Sequence, residues 1–147
     1  MRLVFITLLT LPFLIMSYPS WADTTVESAN DFATTLQKLR DAIEASPASI
    51  ISEVDHAAAA EGAGLELGAT TLVIFGNPQA GTQLMQADQR VGLALPMKML
   101  VIETADGVRL VFDDPSDLAE TYELGDAAAV TERMSGLVAS LAEAAAN

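Results

Sequence analysis

The side chains best suited to chemistry in this sequence are few, and His56 is the only histidine. It follows Asp55 directly. A histidine titrates near neutral pH, so it can act as a general acid, a general base or a ligand. Adjacent residues of a strand point to opposite faces, so Asp55 can orient the His56 ring only where the strand has ended. Both residues are candidates for catalysis, and the competing interpretation is a histidine that only hydrogen-bonds a loop.

A second candidate region surrounds Asn77 and Thr82. The run from Phe75 to Pro78 has the start signals of a helix, with Asn77 as the N-cap and Pro78 at the first helical position. Free backbone N–H groups at a helix start can hold an anion. Capping alone explains the same residues, and the spacing of a phosphate loop is absent from the sequence.

Lys98 and Glu103 belong to one predicted strand and fall on its opposite faces. Glu103 falls near the edge of the apolar face, where a carboxylate needs a partner. Lys98 can meet an acidic ligand or extend its ammonium group to water. With the residues above, the candidates for ligand binding are His56, Asn77, Thr82, Lys98 and Glu103.

The composition excludes several kinds of site. The sequence has no cysteine, so disulfides, thiolate metal sites and thiol catalysis are all excluded. Neither a Gly-x-Ser-x-Gly elbow nor a His-Glu-x-x-His helix is present. We assign no metal ligand and no cofactor from the sequence. Weak divalent-metal binding by the acidic surface stays as an alternative.

Residues 1–22 are typical of a cleavable export signal. Arg2 precedes an apolar run from Leu3 to Met16, and Ser20 and Ala22 provide a small-x-small exit. A membrane-spanning helix needs about 20 apolar residues, and this run is shorter. We therefore expect cleavage after Ala22, export to the periplasm or beyond, and no membrane span in the mature chain. An uncleaved N-terminal anchor is the alternative.

The mature chain, residues 23–147, is predicted to form a single acidic domain. Six basic residues then stand against twenty acidic ones, a net charge of −14. A surface this negative repels nucleic acid and anionic lipid, so we expect no nucleic-acid partner.

The spacing of apolar residues predicts an α+β fold. Strands are expected over residues 23–27, 50–54, 70–75, 97–104 and 108–113. Helices are expected after the caps Ser28, Asn77 and Asp126. The last two strands form a hairpin that turns on Asp106-Gly107, with Ala105 opposite Val108. The result is a two-layer sandwich, in which amphipathic helices cover one face of a mainly antiparallel sheet.

Several of these motifs together resemble the domain of unknown function 302 family. They lie over residues 55–57, 64–67, 72–78, 81–82 and 95–98. The resemblance covers essentially the whole mature chain. It implies a compact α+β domain that is sometimes dimeric and has no agreed reaction.

Three functional hypotheses follow from the sequence. The first is a non-enzymatic exported domain, a homodimer, that binds a small ligand or a protein through the open sheet face; an acidic ligand would there meet Lys98 and Arg109. The rival is a small-molecule enzyme with His56 as general acid or base, supported by Asp55, Asn77 and Thr82. The third is the weak divalent-metal binder.

Overall fold

The computed structural model describes residues 23–147, and the predicted export signal over residues 1–22 lies outside the described residues. The described chain contains a five-stranded sheet in which every neighbouring pair of strands is antiparallel. The strand order is β1-β5-β4-β3-β2. The strands are β1 (Thr24–Ser28), β2 (Ser49–Asp55), β3 (Thr70–Gly76), β4 (Met97–Thr104) and β5 (Gly107–Phe112).

Residues 23–147 also contain five α-helices and three short 3-10 turns. The helices are α1 (Phe32–Glu44), α2 (His56–Gly62), α3 (Pro78–Ala87), α4 (Leu118–Thr121) and α5 (Ala128–Ala146), and the 3-10 turns are Gln89–Leu93, Pro115–Asp117 and Gly125–Ala127. Helices α1 and α5 pack side by side over one face of the sheet. The predicted α+β two-layer architecture is confirmed.

The main core lies between the sheet and these two helices. Alternate side chains of a strand point to the same face, and the inward set of the β4–β5 hairpin is buried, as the sequence predicts: Met97, Met99, Val101, Val108, Leu110 and Phe112. Leu36, Leu39 and Ile43 of α1 pack against this set at helical spacing. Burial of this stripe explains why the segment is a helix.

The hairpin turn differs from the prediction. Thr104 pairs with Gly107, so Ala105 and Asp106 form the two-residue turn. The Thr104 hydroxyl donates to the Gly107 carbonyl at 2.9 Å, and Gly107 has a φ of +127°, which glycine adopts without a side-chain clash. Val101 consequently lies opposite Leu110 rather than Phe112. Each partner changes by two residues, so every side chain keeps its predicted face.

Two predicted helix caps are also wrong. Helix α1 begins at Phe32, because the Asp31 carboxylate accepts the Thr34 N–H at 2.7 Å, while the Ser28 hydroxyl is engaged with Thr35 at 2.7 Å. Helix α5 begins at Ala128 without a side-chain cap, since a 3-10 turn over Gly125–Ala127 leads into it. In α1 a cap directly before the helix replaces the predicted one, and in α5 the preceding 3-10 turn takes the place of a side-chain cap.

A second, smaller apolar cluster lies beside the main core. It joins α3, the 3-10 turn that follows it, and the start of α5, and its buried members are Leu84, Val91, Leu124 and Val130. Leu95 and Met134 contact both clusters. None of the helices within residues 23–147 combines the length and apolar character that crossing a membrane requires.

Candidate functional site

A cleft of about 600 Å³ opens where the two apolar clusters meet. It lies between the first turns of α3, the first half of α5, and the adjoining ends of β3 and β4. Ligand pockets in proteins typically enclose about 300–1,000 Å³ and have mostly apolar walls with a few polar groups. The cleft has these dimensions and this character, so it is the candidate functional site of the described chain.

The base of the cleft is formed by the sheet. Phe75, near the end of β3, pairs in register with Met97 at the start of β4, and both side chains line the cleft. Ile51 reaches the same space because β2 contains an irregularity: Ile50 pairs with Phe75, whereas Ser52 pairs with Ile74, which leaves Ile51 as the extra residue. A bulge of this kind redirects a side chain. Ile51 is 60% exposed and lines the cleft.

One wall is a single stripe of helix α5. The stripe residues follow the spacing that places side chains on one side of a helix, and they are Val130, Arg133, Met134, Leu137 and Val138. Met134 and Leu137 are only half-buried, which is the consequence of facing the cleft rather than the closed core. The sequence places Val130, Met134, Leu137, Leu141 and Ala145 on one apolar stripe of this helix and gives no sign that its first half faces open space.

The opposite wall is the start of helix α3. Asn77 fixes this start, because its Oδ1 accepts the Gln79 N–H at 2.8 Å and its Nδ2 donates to the Pro47 carbonyl at 2.9 Å. Gly81 and Met85 contribute to the same wall. A methyl group added at Gly81 would lie 3.5 Å from Leu95 Cδ1, which is an ordinary contact. The backbone therefore does not require a glycine at this position, although its small size leaves more room in the cleft.

Arg133 is the one charged residue among the described residues that line the cleft. Residues 23–147 contain six basic side chains, and five of them have a protein partner. Arg40, Arg90 and Arg109 form ion pairs, and Lys38 and Lys98 donate hydrogen bonds. Within the described part of the chain, Arg133 makes neither an ion pair nor a hydrogen bond to protein. Its guanidinium is exposed and retains its donors for another molecule.

A buried carboxylate at the end of α3 holds this helix in place. Asp88 follows α3, and it accepts hydrogen bonds from the Arg90 guanidinium, at 2.7 Å for the closest pair of atoms, and from the Glu123 N–H at 3.3 Å. The hydrogen bond from Arg90 is the main reason why the pKa of Asp88 falls from its usual 3.8 to about 2, and the two backbone N–H donors lower it further. Asp88 therefore connects the end of α3 to the segment that leads into α5.

His56 and Asp55 lie away from the cleft. His56 is the first residue of α2 and is exposed, and Asp55 is its N-cap, accepting the Ala58 N–H at 2.9 Å. Strand β2 does end at Asp55, which is the condition under which Asp55 could orient the His56 ring. The Asp55 carboxylate instead caps helix α2. Asn77 follows the far end of β3, which is about 20 Å from the Asp55 end at 3.3 Å per residue. The structure does not bring His56 together with Asn77 or Thr82.

Lys98 and Glu103 also lie outside the cleft. The Lys98 ammonium donates to the Ala94 carbonyl at 3.0 Å and to the Pro96 carbonyl at 3.1 Å, so it is held against its own loop. Glu103 is exposed near the hairpin turn. Of the five candidates for ligand binding, Asn77 and Thr82 line the cleft. Over residues 23–147, no group of three or more His, Cys, Asp or Glu side chains is placed to hold a metal ion.

The comparisons with known proteins fall into two kinds. A family model described as "Domain of unknown function DUF302" matches residues 24–141. The crystal structure of an uncharacterized conserved DUF302 protein from Bacillus stearothermophilus superimposes with a TM-score of 0.76 at 14% identity, covering 84% of this chain and 97% of that one. This likeness extends to the fold alone.

Two curated relatives are named as channels. The proteins called "Fluoride-specific ion channel FluC 1" from Brucella suis and from Brucella abortus are each 42% identical to this chain over 102 residues, which is 69% of this chain. The match covers 40% of the length of the first and 38% of the second. Most of each relative therefore lies outside the match.

Proposed function

Because the chain belongs to the DUF302 family, whose function is unknown, we propose a function from its own geometry: it is a non-enzymatic module that binds a small apolar molecule in the cleft between α3 and α5. The observation that carries the proposal is a cleft of about 600 Å³ that is lined by apolar side chains from three strands and two helices. Enclosing a ligand there removes apolar surface from water, which is the main source of affinity in such pockets.

The methionines support a binding role over a specific reaction. Met85, Met97 and Met134 all line the cleft. Methionine is flexible and polarizable, and it is common on surfaces that accept ligands of several shapes. By contrast, the side chains suited to proton transfer, His56 and Asp55, lie away from the cleft. This arrangement favours binding over the enzymatic alternative.

The cleft is tested with a neutral fluorescent probe, N-phenylnaphthylamine, titrated into the mature chain. We expect saturable binding that Leu137→Asp reduces at least about tenfold, because a carboxylate on the wall must be desolvated against an apolar ligand. The matched control is Leu93→Asp, which makes the same change at a side chain that is 89% exposed outside the cleft.

A second variant tests the cleft at an exposed residue, because a substitution at the half-buried Leu137 can also disturb folding. Thr82 is exposed at the rim of the cleft, so Thr82→Trp can narrow the entrance without disturbing the core. Circular dichroism verifies that each variant is folded. Binding that is unchanged in both Leu137→Asp and Thr82→Trp would place the probe elsewhere and contradict the proposal.

Export and dimerisation belong to the same proposal. Residues 1–22 support export, since they have the sequence of a signal peptide. Mass spectrometry of the protein from the cell envelope should find a chain that begins at Asp23, and a mature chain that begins at Met1 would contradict cleavage. The open sheet face supports a homodimer, because Leu72, Leu100 and Val111 lie next to one another on it, while α1 and α5 pack on the opposite face.

A second candidate function comes from the two channel relatives. Their 42% identity over 102 residues favours a role in which this domain assists fluoride handling. A direct test is fluorine NMR of fluoride titrated into the mature chain. Line broadening that Arg133→Gln removes would support the role, and an unchanged fluoride signal would exclude direct binding.

A further inference from the structure

We propose that the ligand of the cleft is a monoanionic amphiphile, an alkyl carboxylate whose chain lies between α3 and α5 and whose carboxylate pairs with Arg133. This inference rests on the proposed binding function and adds the chemical class of the ligand. It follows from four features of the described chain: the position of Arg133, the chemistry of the walls, the state of the α3 N-terminus and the overall charge.

The position of Arg133 is the first feature. It belongs to the stripe of α5 that faces the cleft, between Val130 and Leu137. The other members of this stripe are apolar. A guanidinium presents two parallel N–H donors to a carboxylate. Because Arg133 has no partner among residues 23–147, a bound carboxylate would not need to displace an existing ion pair.

The walls determine the rest of the ligand. Beyond Arg133, the lining includes polar side chains that are exposed, Gln79, Thr82 and Gln83, and apolar side chains that are buried or half-buried, Phe75, Met97, Leu95, Met134 and Val138. The buried and half-buried apolar set offers no hydrogen-bonding groups other than weak thioether acceptors. A ligand with polar groups along its length would leave them unpaired, at a cost that opposes binding. A flexible alkyl chain has no such groups, and the methionines can adapt to it.

The N-terminus of α3 does not compete as the anion site. The Asn77 side chain accepts the Gln79 N–H at 2.8 Å and lies 3.4 Å from that of Ala80, and the Gly81 N–H bonds to the Asn77 carbonyl. These amide groups are already used within the chain. Arg133 is therefore the group at the cleft with free capacity for an anion.

The overall charge limits the ligand to one negative charge. The mature chain has a net charge of −14, and its field opposes the approach of any anion. A single guanidinium can neutralise one carboxylate. A phosphate dianion would keep an uncompensated charge beside an apolar wall, which is costly. The geometry thus favours a carboxylate over a phosphate monoester.

The test compares three ligands that share one alkyl chain: dodecanoate, dodecanol and dodecyl phosphate, each displacing N-phenylnaphthylamine from the mature chain at a pH where dodecanoate is ionised. We expect dodecanoate to bind about tenfold more tightly than dodecanol, the equivalent of about 1.4 kcal/mol. Arg133→Gln should remove this preference, Arg133→Lys should keep part of it, and Lys38→Gln, on α1 outside the cleft, should leave it intact.

The outcomes separate the two proposals. If dodecanol binds as tightly as dodecanoate and Arg133→Gln changes the affinity of neither, the pairing of a ligand carboxylate with Arg133 is wrong, while apolar binding in the cleft stands. If dodecyl phosphate binds more tightly than dodecanoate, the monoanionic class is wrong. If none of the three ligands displaces a probe whose own binding Leu137→Asp weakens, the amphiphile is wrong, while binding in the cleft stands. If Leu137→Asp weakens neither the probe nor any of the three ligands, the binding function itself fails.

Discussion

The basic side chains of the domain differ in whether the protein itself neutralises them. Arg40 pairs with Glu53 through two hydrogen bonds, of 2.8 and 2.6 Å, and Arg90 pairs with Asp88. Arg133 has no such partner within the described residues and faces an apolar cleft. An arginine left unpaired in a protein with twenty acidic residues is the residue-scale feature that most clearly indicates an external anion.

Asp88 provides a prediction about acid stability. Its folded-state pKa is lowered from 3.8 to about 2, chiefly by the hydrogen bond from Arg90. A lowered pKa means that the ionised carboxylate stabilises the fold above the pKa of the unfolded chain, and that this contribution is lost as the pH falls through the folded pKa. Asp88→Asn should therefore lower the melting temperature at neutral pH. The difference in melting temperature between this variant and the wild type should shrink between about pH 4 and pH 2.

The measurement is thermal unfolding followed by circular dichroism across this pH range. Asp113→Asn is the control, because it makes the same chemical change at an exposed residue that takes no part in the hydrogen bonds among Asp88, Arg90 and Glu123. An Asp88→Asn deficit that stays constant down to pH 2 would contradict the assignment of the stabilisation to the ionised carboxylate.

At the scale of elements, the cleft depends on how α3 is attached to the sheet. Asn77 caps the helix and bonds to the Pro47 carbonyl, which precedes β2. Asp88 then fixes the other end of α3 to the segment before α5. The short helix is thus held at both ends, and the space between it and α5 stays open although its walls are apolar.

Asn77→Ala should destabilise the domain by about 1–2 kcal/mol, because the cap hydrogen bonds are lost, together with the bond to Pro47. Asn77→Ser should recover part of this loss, since serine can cap the helix but cannot reach Pro47. Urea unfolding measures both free energies. Equal losses in the two variants would show that the bond to Pro47, rather than the cap, holds the helix.

At the scale of the whole molecule, the sheet has one covered face and one open face. The open face presents Leu72, Ile74, Leu100, Ile102 and Val111, all half-buried by their neighbours. A contiguous apolar patch of this kind is characteristic of interaction surfaces. The cleft lies on the helical side, so dimerisation through the open face would leave it accessible.

The dimer is tested by analytical ultracentrifugation of the mature chain. We expect a dimer that Leu100→Lys converts to a monomer, because a charge at the centre of the face must be desolvated on association. Leu93→Lys, at an exposed side chain in the 3-10 turn after α3, should leave the dimer intact. A wild-type chain that is monomeric at all concentrations would contradict this arrangement.

Local patterns in the sequence suffice for much of the fold. The alternation in β4 and β5, the stripe of α1 and the Asn77-Pro78 start of α3 each depend on neighbours within a few residues, so the elements and the buried faces of the hairpin are predictable. The caps at Ser28 and Asp126 and the turn register were predicted incorrectly. At α1 the Asp31 carboxylate caps the helix in place of Ser28, at α5 a 3-10 turn leads into the helix without a cap, and the turn register follows the pairing of Thr104 with Gly107.

The existence of the cleft and the unpaired state of Arg133 follow only from the tertiary structure. The sequence determines that the stripe from Val130 to Leu141 is apolar on one side, but not that its first half faces a gap while its second half enters the core. That depends on where α3 packs, which Asp88 and Asn77 set through partners 35 and 30 residues away. Likewise, Arg133 can be recognised as unpaired only once the positions of the acidic side chains are known, because pairing depends on distances across the fold.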